Sequence, residues 1–150
     1  MYHHLWSNGP KEALEFPNYT FDEHFGKPIG SYPPRAVLED YLKGRAEKKF
    51  QVTDNITLNT SVDRVDFNEA TQKFEVESTN HENKTSLREV FDWVIVATGH
   101  FSVPNVPDFP GFSEFAGRIL HAHDFREALE FKDKNVLMIG SSYSAEDISS

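Results

Sequence analysis

The 150-residue sequence contains no cysteine, which excludes a disulfide framework, a thiolate metal site and a cysteine nucleophile. No apolar run is long enough to cross a bilayer, and residues 1–10 lack the basic and apolar regions of a secretion signal. We therefore expect a cytoplasmic protein without a membrane partner. Positive charge is also scarce, since the 15 Lys and Arg are outnumbered by 24 Asp and Glu and the formal net charge is −9. Because binding to a phosphate backbone depends on clustered Lys and Arg, we expect no nucleic-acid partner.

Aromatic side chains are abundant: the sequence has 13 Phe, 5 Tyr and 2 Trp. With 38% hydrophobic and 26% charged residues, the composition is typical of a soluble globular protein with the length of one ordinary domain. The aromatic residues serve either a dense core or surfaces that meet flat ligands, and composition leaves both interpretations open.

The first half of the chain changes from loop to helix to strand patterns. Residues 1–30 are rich in aromatics and turn formers and are predicted to form an ordered loop. A helix is predicted over 34–50, because Pro33-Pro34 suits a first turn and an apolar face follows. That face consists of Val37, Leu38, Tyr41 and Leu42. Period-two alternation over 56–91 predicts a hairpin and a third antiparallel strand.

The second half carries two continuously apolar runs, at 93–97 and 135–139, which predict strands of a parallel sheet buried on both faces. Three prolines at every third position, Pro104, Pro107 and Pro110, predict a rigid connector between them. A short helix is predicted over Phe125 to Glu130. The pattern as a whole favours an α/β fold with a small antiparallel insertion.

A dinucleotide-binding fingerprint follows the second apolar run. Gly140, Ser142 and Ala145 occupy the three positions of G-x-G-x-x-A, in which a tight turn and a helix start receive the diphosphate. Ser142 departs from the pattern, because a side chain stands where the backbone approaches most closely, although its hydroxyl could donate to phosphate. Taken alone, these residues fit an ordinary strand-to-helix turn equally well.

A second motif lies directly before this fingerprint. It fits F-x-G-x-x-x-H-x-x-x-F, with Phe115, Gly117, His121 and Phe125 at the fixed positions. These residues also have a structural interpretation, as core anchors, a tight turn and a hydrogen-bonding linker. His121 and His123 are a poor metal site, because neither helical spacing nor a third ligand supports one, and we expect no metal.

Two more segments complete the pattern, Val96-Ala97-Thr98-Gly99 and Leu5-Trp6-Ser7-Asn8-Gly9-Pro10. In their order along the chain, the four elements resemble the flavin-containing monooxygenase family. The resemblance implies portions of two dinucleotide-binding, Rossmann-like domains with an antiparallel β insertion. It assigns 1–104 to the C-terminal part of an FAD-binding domain and 105–150 to the start of an NADP-binding domain.

The resemblance further implies an enzyme that uses NADPH, FAD and O2 to oxygenate a soft nucleophile through a C4a-hydroperoxyflavin. Asn8 is the implied catalytic residue, because its amide can hydrogen-bond both the hydroperoxide and the nicotinamide cofactor. Outside the family, Asn8-Gly9 is a turn. The implied cofactor-binding residues are Tyr2, Trp6, Asn8, Val62, Thr98, Gly99, Gly140, Ser141, Ser142, Tyr143 and Ser144.

Residues 19–26, 121–126 and 140–147 resemble the branch of the family that N-oxygenates trimethylamine and similar tertiary amines. This resemblance implies a small amine substrate and allows a homodimer of the full-length enzyme. Two alternatives stay open: a flavin monooxygenase acting on sulfides or ketones, and a non-catalytic truncated remnant or interaction piece. Because the sequence contains no G-x-G-x-x-G flavin fingerprint, we expect no catalysis from residues 1–150 alone.

Overall fold

The computed structural model describes the whole chain from Met1 to Ser150. The chain folds as two compact units, one made of Met1–Gln51 with Val103–Ser150 and the other of Val52–Ser102. The domain boundary predicted after residue 104 stays a prediction, although the chain changes unit at the neighbouring Val103. None of the helices combines the length and the apolar character that crossing a membrane requires.

The first unit contains four short α-helices: α1 (Lys11–Leu14), α2 (Phe21–Phe25), α3 (Arg35–Gly44) and α4 (Tyr143–Ser149). Turns of 3-10 helix lie at Phe112–Glu114, Ala122–Asp124 and Ala128–Phe131. The helix predicted over 34–50 is confirmed, and its end widens into a π-helix at Arg45–Lys49. The loop predicted for 1–30 is wrong where α1 and α2 form. The short helix predicted over Phe125 to Glu130 forms only as a 3-10 turn at Ala128–Phe131.

Helix α2 is short but capped at both ends. The Thr20 Oγ1 accepts the Glu23 N–H at 3.1 Å, and the Glu23 carboxylate accepts the Thr20 N–H at 2.9 Å. This reciprocal pair satisfies two N–H groups that a helix start otherwise leaves without partners. Gly26 ends the helix in the left-handed conformation, with φ of 65°. The caps therefore explain why five residues suffice for a helix here.

The core of the first unit is aromatic. The rings of Phe21 and Tyr41 are fully buried and stacked, with centroids 3.9 Å apart and planes 13° apart. The Tyr41 hydroxyl donates to the Tyr19 carbonyl at 2.6 Å and accepts the Phe16 N–H at 2.9 Å. Leu42, predicted to share the apolar face with Tyr41, is 45% exposed. Adjacent helical residues point about 100° apart, so burying Tyr41 turns Leu42 toward solvent.

Gly44 lies against a buried histidine in this core. The His24 Nδ1 hydrogen-bonds the Tyr19 hydroxyl at 2.7 Å, and the His24 side chain is buried. A Cβ added at Gly44 would overlap the His24 ring and lie 2.9 Å from the Tyr19 hydroxyl. Position 44, which packs against His24 and Tyr19, is therefore glycine for steric reasons.

We expect Gly44→Ala to lower the free energy of unfolding by about 1–3 kcal/mol, because the added methyl overpacks the cluster. Urea unfolding followed by tyrosine fluorescence measures the change. Gly30→Ala is the matched control, since a Cβ there meets nothing within 4 Å. Equal unfolding midpoints for the two variants would contradict the steric explanation.

The second unit contains a three-stranded antiparallel sheet in the order β1-β2-β3. The strands are β1 (Thr60–Asn68), β2 (Lys73–Asn80) and β3 (Thr85–Phe91). The predicted antiparallel strands are confirmed, with the first strand beginning at Thr60 instead of Ile56. On one face of β2, Val76 and Ser78 are buried. Ser78 lies opposite Val62 of the neighbouring strand β1. The register shifts directly after Val62, which marks an irregularity in β1.

No strand forms at 93–97 or 135–139, and the prediction of buried parallel strands is wrong for this chain. Ile95 is 88% exposed and Leu137 is 85% exposed. A parallel strand needs hydrogen-bonding neighbours and two covering faces. The only sheet of the chain is antiparallel and built from other residues, so the Rossmann-like architecture stays a prediction.

Candidate functional site

The segment that carries Asn8 is fixed by backbone pairing to the start of α3. The Ser7 N–H donates to the Pro33 carbonyl at 2.9 Å, and the Arg35 N–H donates to the Leu5 carbonyl at 2.8 Å. These two bonds hold the chain on both sides of a short antiparallel bridge. They fix the point from which the turn at Asn8 projects.

Asn8 lies at the exposed tip of this turn. The Ser7 hydroxyl closes the turn, because it accepts the Gly9 N–H at 3.2 Å and donates to the Gly9 carbonyl at 2.6 Å. The side-chain amide of Asn8 is left free to donate and accept. Trp6, two residues earlier in the chain, is also exposed. The turn thus holds a free amide at an exposed position, and contact of this segment with a cofactor stays a prediction.

Tyr2 joins the amino-terminal segment to helix α4. Its hydroxyl donates to the Asp147 carboxylate, and its ring meets the Phe125 ring edge-on with centroids 5.4 Å apart. The His3 N–H donates to the Arg126 carbonyl at 3.0 Å. Burial, followed by the hydrogen bond to Asp147, raises the pKa of Tyr2 to about 12. No motif in the sequence predicts that Asp147 makes this contact.

The motif before the fingerprint has mostly structural roles. Phe125 is buried, as expected of a core anchor, whereas Phe115 is exposed and does not anchor the core of this chain. A Cβ at Gly117 would lie 2.5 Å from the Phe115 ring, so glycine is required for their approach. The His121 Nδ1 accepts the backbone N–H two residues later at 3.0 Å and caps a 3-10 turn, which confirms it as a hydrogen-bonding residue.

The neighbouring histidine is engaged by a carboxylate. The His123 Nδ1 lies 2.8 Å from the Asp124 carboxylate, and this hydrogen bond lowers the pKa of Asp124. No group of three or more His, Cys, Asp or Glu side chains is arranged to hold a metal ion.

The fingerprint forms a tight turn into α4. Gly140 has φ of 133°, a region that residues with a side chain rarely adopt, and a Cβ there would lie 3.9 Å from the Ala145 Cβ. The Ser142 carbonyl accepts the Ala145 N–H at 2.8 Å and begins the helix. The Ser142 hydroxyl makes no capping bond and remains free. The first and third positions of the fingerprint thus lie close together, and binding of a dinucleotide at this turn stays a prediction.

We expect Gly140→Ala to lower the free energy of unfolding by about 1–3 kcal/mol, because alanine is strained at this φ. Chemical unfolding of the variant measures the cost. Ser141→Ala is the matched control, since Ser141 is the next residue, is exposed and has no positive φ. A Gly140→Ala protein as stable as the Ser141→Ala protein would show that the turn relaxes without strain.

The other predicted site residues are divided between the two units. Ser141 and Ser144 are exposed on the fingerprint, and Tyr143 is 72% exposed at the start of α4. The second unit holds the remaining three, which are all exposed: Val62, Thr98 and Gly99.

Two observations fit nucleotide cofactors. Gly99 and Gly140 both have positive φ, at 84° and 133°, so the backbone turns without a side chain at the two places predicted to pass a diphosphate. The side-chain amide of Asn8 and the hydroxyl of Ser142 are unbonded, and each has an exposed aromatic residue within two positions in the sequence, Trp6 and Tyr143. The residues present therefore fit parts of a flavin site and of a nicotinamide cofactor site.

The family model for flavin-binding monooxygenase-like proteins matches residues 1–150, and the chain belongs to that family. The predicted family is thereby confirmed. The trimethylamine monooxygenase of Methylocella silvestris is 59% identical to it over 150 residues, which are 100% of this chain and 33% of the relative.

Two solved structures share the fold. The crystal structure of Tmm from Pelagibacter sp. matches with a TM-score of 0.91 and 52% identity, over 99% of this chain and 33% of that one. The S-allyl-L-cysteine S-oxygenase of Allium sativum matches with a TM-score of 0.84 and 33% identity, over 99% of this chain and 34% of that one. The matches agree with the predicted α/β class. The chain spans about a third of the length of these relatives.

Proposed function

We propose that the chain is part of an NADPH- and FAD-dependent monooxygenase that N-oxygenates trimethylamine or a similar tertiary amine. The observation that carries this proposal is the 59% identity, over the entire chain, to the trimethylamine monooxygenase of Methylocella silvestris. Identity to the S-oxygenase of Allium sativum is lower, at 33% over a similar share of the chain, which favours the amine over a sulfide.

On the flavin side, this chain contributes orientation and exclusion of water. FAD, when bound, supplies the chemistry by taking a hydride from NADPH and activating O2. Asn8 has a free amide on a fixed turn and would hydrogen-bond the reacting centre. Trp6 would cover that centre from water. Val62 would contact the adenine end of FAD, and Thr98 with Gly99 would pass its diphosphate.

On the nicotinamide side, the fingerprint turn contributes the binding groups. The glycine-only turn at Gly140 lets the backbone approach a diphosphate. The free hydroxyl of Ser142 would donate to a phosphate oxygen, with Ser141 and Ser144 on the same turn. Tyr143, which is exposed, would lie beside the nicotinamide cofactor. No acid/base pair is required, because these residues only bind and orient.

An exchange enzyme tests the proposal. Residues 1–150 replace the matching third of the Methylocella silvestris protein, and NADPH oxidation and product formation are measured with trimethylamine and with a dialkyl sulfide. We expect trimethylamine to stimulate NADPH oxidation and to yield its N-oxide, as in the unmodified relative. Stimulation by the sulfide alone would favour sulfide oxygenation, and stimulation by neither substrate would refute the proposed function.

For residues 1–150 in isolation, we propose that catalysis is absent. The two apolar segments around Ile95 and Leu137 are exposed, and such surfaces require a covering partner or lead to association. We expect the isolated chain to oxidise no NADPH in the presence of FAD and trimethylamine. Cytoplasmic location and a homodimer of the full-length enzyme remain predictions.

A further inference from the structure

Tyr2 and Asp147 meet although 145 positions separate them in the sequence. Asp147 stands four residues after Tyr143 on α4, and residues with this spacing lie on one face of a helix. Tyr2 therefore reaches the helix face that begins with the residue proposed to lie beside the nicotinamide cofactor. The contact joins the two segments to which the proposed function assigns different cofactors.

Three contacts hold Tyr2 in this place. An exposed hydrogen bond to a carboxylate alone would compete with water and contribute little. Here the Tyr2 ring also packs edge-on against Phe125, which is buried, and the next residue, His3, donates its N–H to the Arg126 carbonyl at 3.0 Å. The packing of the Tyr2 ring and the hydrogen bond of the adjacent backbone thus both hold the Tyr2 hydroxyl in position to donate to Asp147.

The connection from Tyr2 to Asn8 is short and tied at its middle. The Leu5 N–H donates to the Tyr2 carbonyl at 3.4 Å, and the Leu5 carbonyl accepts the Arg35 N–H at 2.8 Å. A displacement of Tyr2 would therefore act on the segment that positions Asn8.

We propose that the hydrogen bond between Tyr2 and Asp147 is a latch that sets the position of the Asn8 segment relative to the fingerprint helix, and that Asp147 is a positioning residue. This inference rests on the proposed function. It gives Tyr2 a role that does not require contact with a cofactor. Burial and the hydrogen bond to Asp147 raise the pKa of Tyr2 to about 12, so the phenol keeps the proton that it donates in alkaline as well as neutral solution.

Loss of the latch should lower the amount of N-oxide formed per NADPH consumed, which is the coupling of the reaction, more than it weakens substrate binding. A misplacement of about 1 Å can cost on the order of 100-fold in rate when two groups must be aligned. Neither Tyr2 nor Asp147 is assigned to the amine. We therefore expect a lower kcat for N-oxide formation, an unchanged KM for trimethylamine, and more NADPH consumed per N-oxide.

The experiment compares Tyr2→Phe, Asp147→Asn and the double variant in the exchange enzyme. Tyr2→Phe keeps the ring on Phe125 and removes only the hydroxyl, and Asp147→Asn keeps the shape and removes the charge. Glu146→Gln is the matched control, because Glu146 is the preceding residue on α4, is acidic and is exposed. We expect each single variant to lower the N-oxide formed per NADPH by at least about 5-fold, the control to have no effect, and the double variant to equal Tyr2→Phe.

A second readout does not depend on activity. Phenolate absorbance is titrated in the exchange enzyme and in Tyr2→Phe, so that the difference gives Tyr2 alone. Repeating this pair in the Asp147→Asn background should give a lower pKa for Tyr2, since the hydrogen bond to Asp147 and its negative charge both raise that pKa.

The outcomes separate the latch from the proposed function. An exchange enzyme that is inactive without any further substitution would refute the proposed function. The latch would then be tested by the titration of Tyr2 alone. A Tyr2 pKa that Asp147→Asn does not lower would overturn the latch whatever the activity. Additive losses in the double variant, or single variants that stay fully coupled, would overturn it in an active enzyme.

Discussion

Asn8→Ala is expected to lower the rate of trimethylamine oxygenation by the exchange enzyme roughly 100-fold, the scale of loss for a misaligned reacting group. The variant removes the donor and the acceptor of an amide that no protein group engages. The turn itself should persist, because the Ser7 hydroxyl and the pairing with Pro33 hold it without the Asn8 side chain. Oxygen transfer is therefore predicted to fail in a folded protein.

The measurement is N-oxide formed per minute at saturating NADPH and trimethylamine, with the unfolding midpoint recorded in parallel. Asn8→Asp separates the donor from the size of the side chain, because the carboxylate keeps the shape but cannot donate. Asn55→Ala is the matched control, since Asn55 is also an exposed asparagine and lies outside the predicted site. Normal oxygenation by Asn8→Ala would remove Asn8 from the mechanism.

Phe21→Ala is expected to have the largest effect on stability, a loss of about 3–5 kcal/mol in the free energy of unfolding. Phe21 is fully buried and its ring stacks on the ring of Tyr41, so alanine leaves a cavity in the middle of the aromatic core. Equilibrium unfolding in urea, followed by near-ultraviolet circular dichroism, measures the loss.

Two further variants show whether the loss comes from burial. Phe101→Ala removes a phenylalanine that is 82% exposed and should change the free energy of unfolding by less than about 0.5 kcal/mol. Tyr41→Phe keeps the stacked ring and removes the hydroxyl that bonds Phe16 and Tyr19, so a smaller loss of about 1–3 kcal/mol is expected. If Phe21→Ala were as stable as Phe101→Ala, the aromatic core would not be what holds this unit together.

Elements with a local pattern could be predicted from the sequence. Period-two alternation located the antiparallel sheet to within a few residues, and the prolines at 33 and 34 with the periodic apolar face located α3. The fingerprint located α4, because spacing alone defines it. The capping box at Thr20 and Glu23 was also present in the sequence and could have identified α2, which is too short to show a helical period.

The remaining features depend on neighbours that no local pattern specifies. The apolar runs around Ile95 and Leu137 indicate burial but carry no information on which residues pair with them. The contact of Tyr2 with Asp147 joins positions at opposite ends of the chain, and neither residue is unusual in its own surroundings. Candidate site residues could be found by motif, whereas the residues that position them could be found only in three dimensions.

The two-unit organisation has a consequence for the order of events during synthesis. In the second unit, short turns join β1 to β2 and β2 to β3, so each pairing closes a small loop at low entropic cost. The first unit is discontinuous, because Met1–Gln51 is completed only by Val103–Ser150. At roughly 5–20 residues per second, the ribosome completes that second part on the order of 10 s after it has added Gln51. We therefore expect the sheet to form before Tyr2 can meet Phe125 and Asp147.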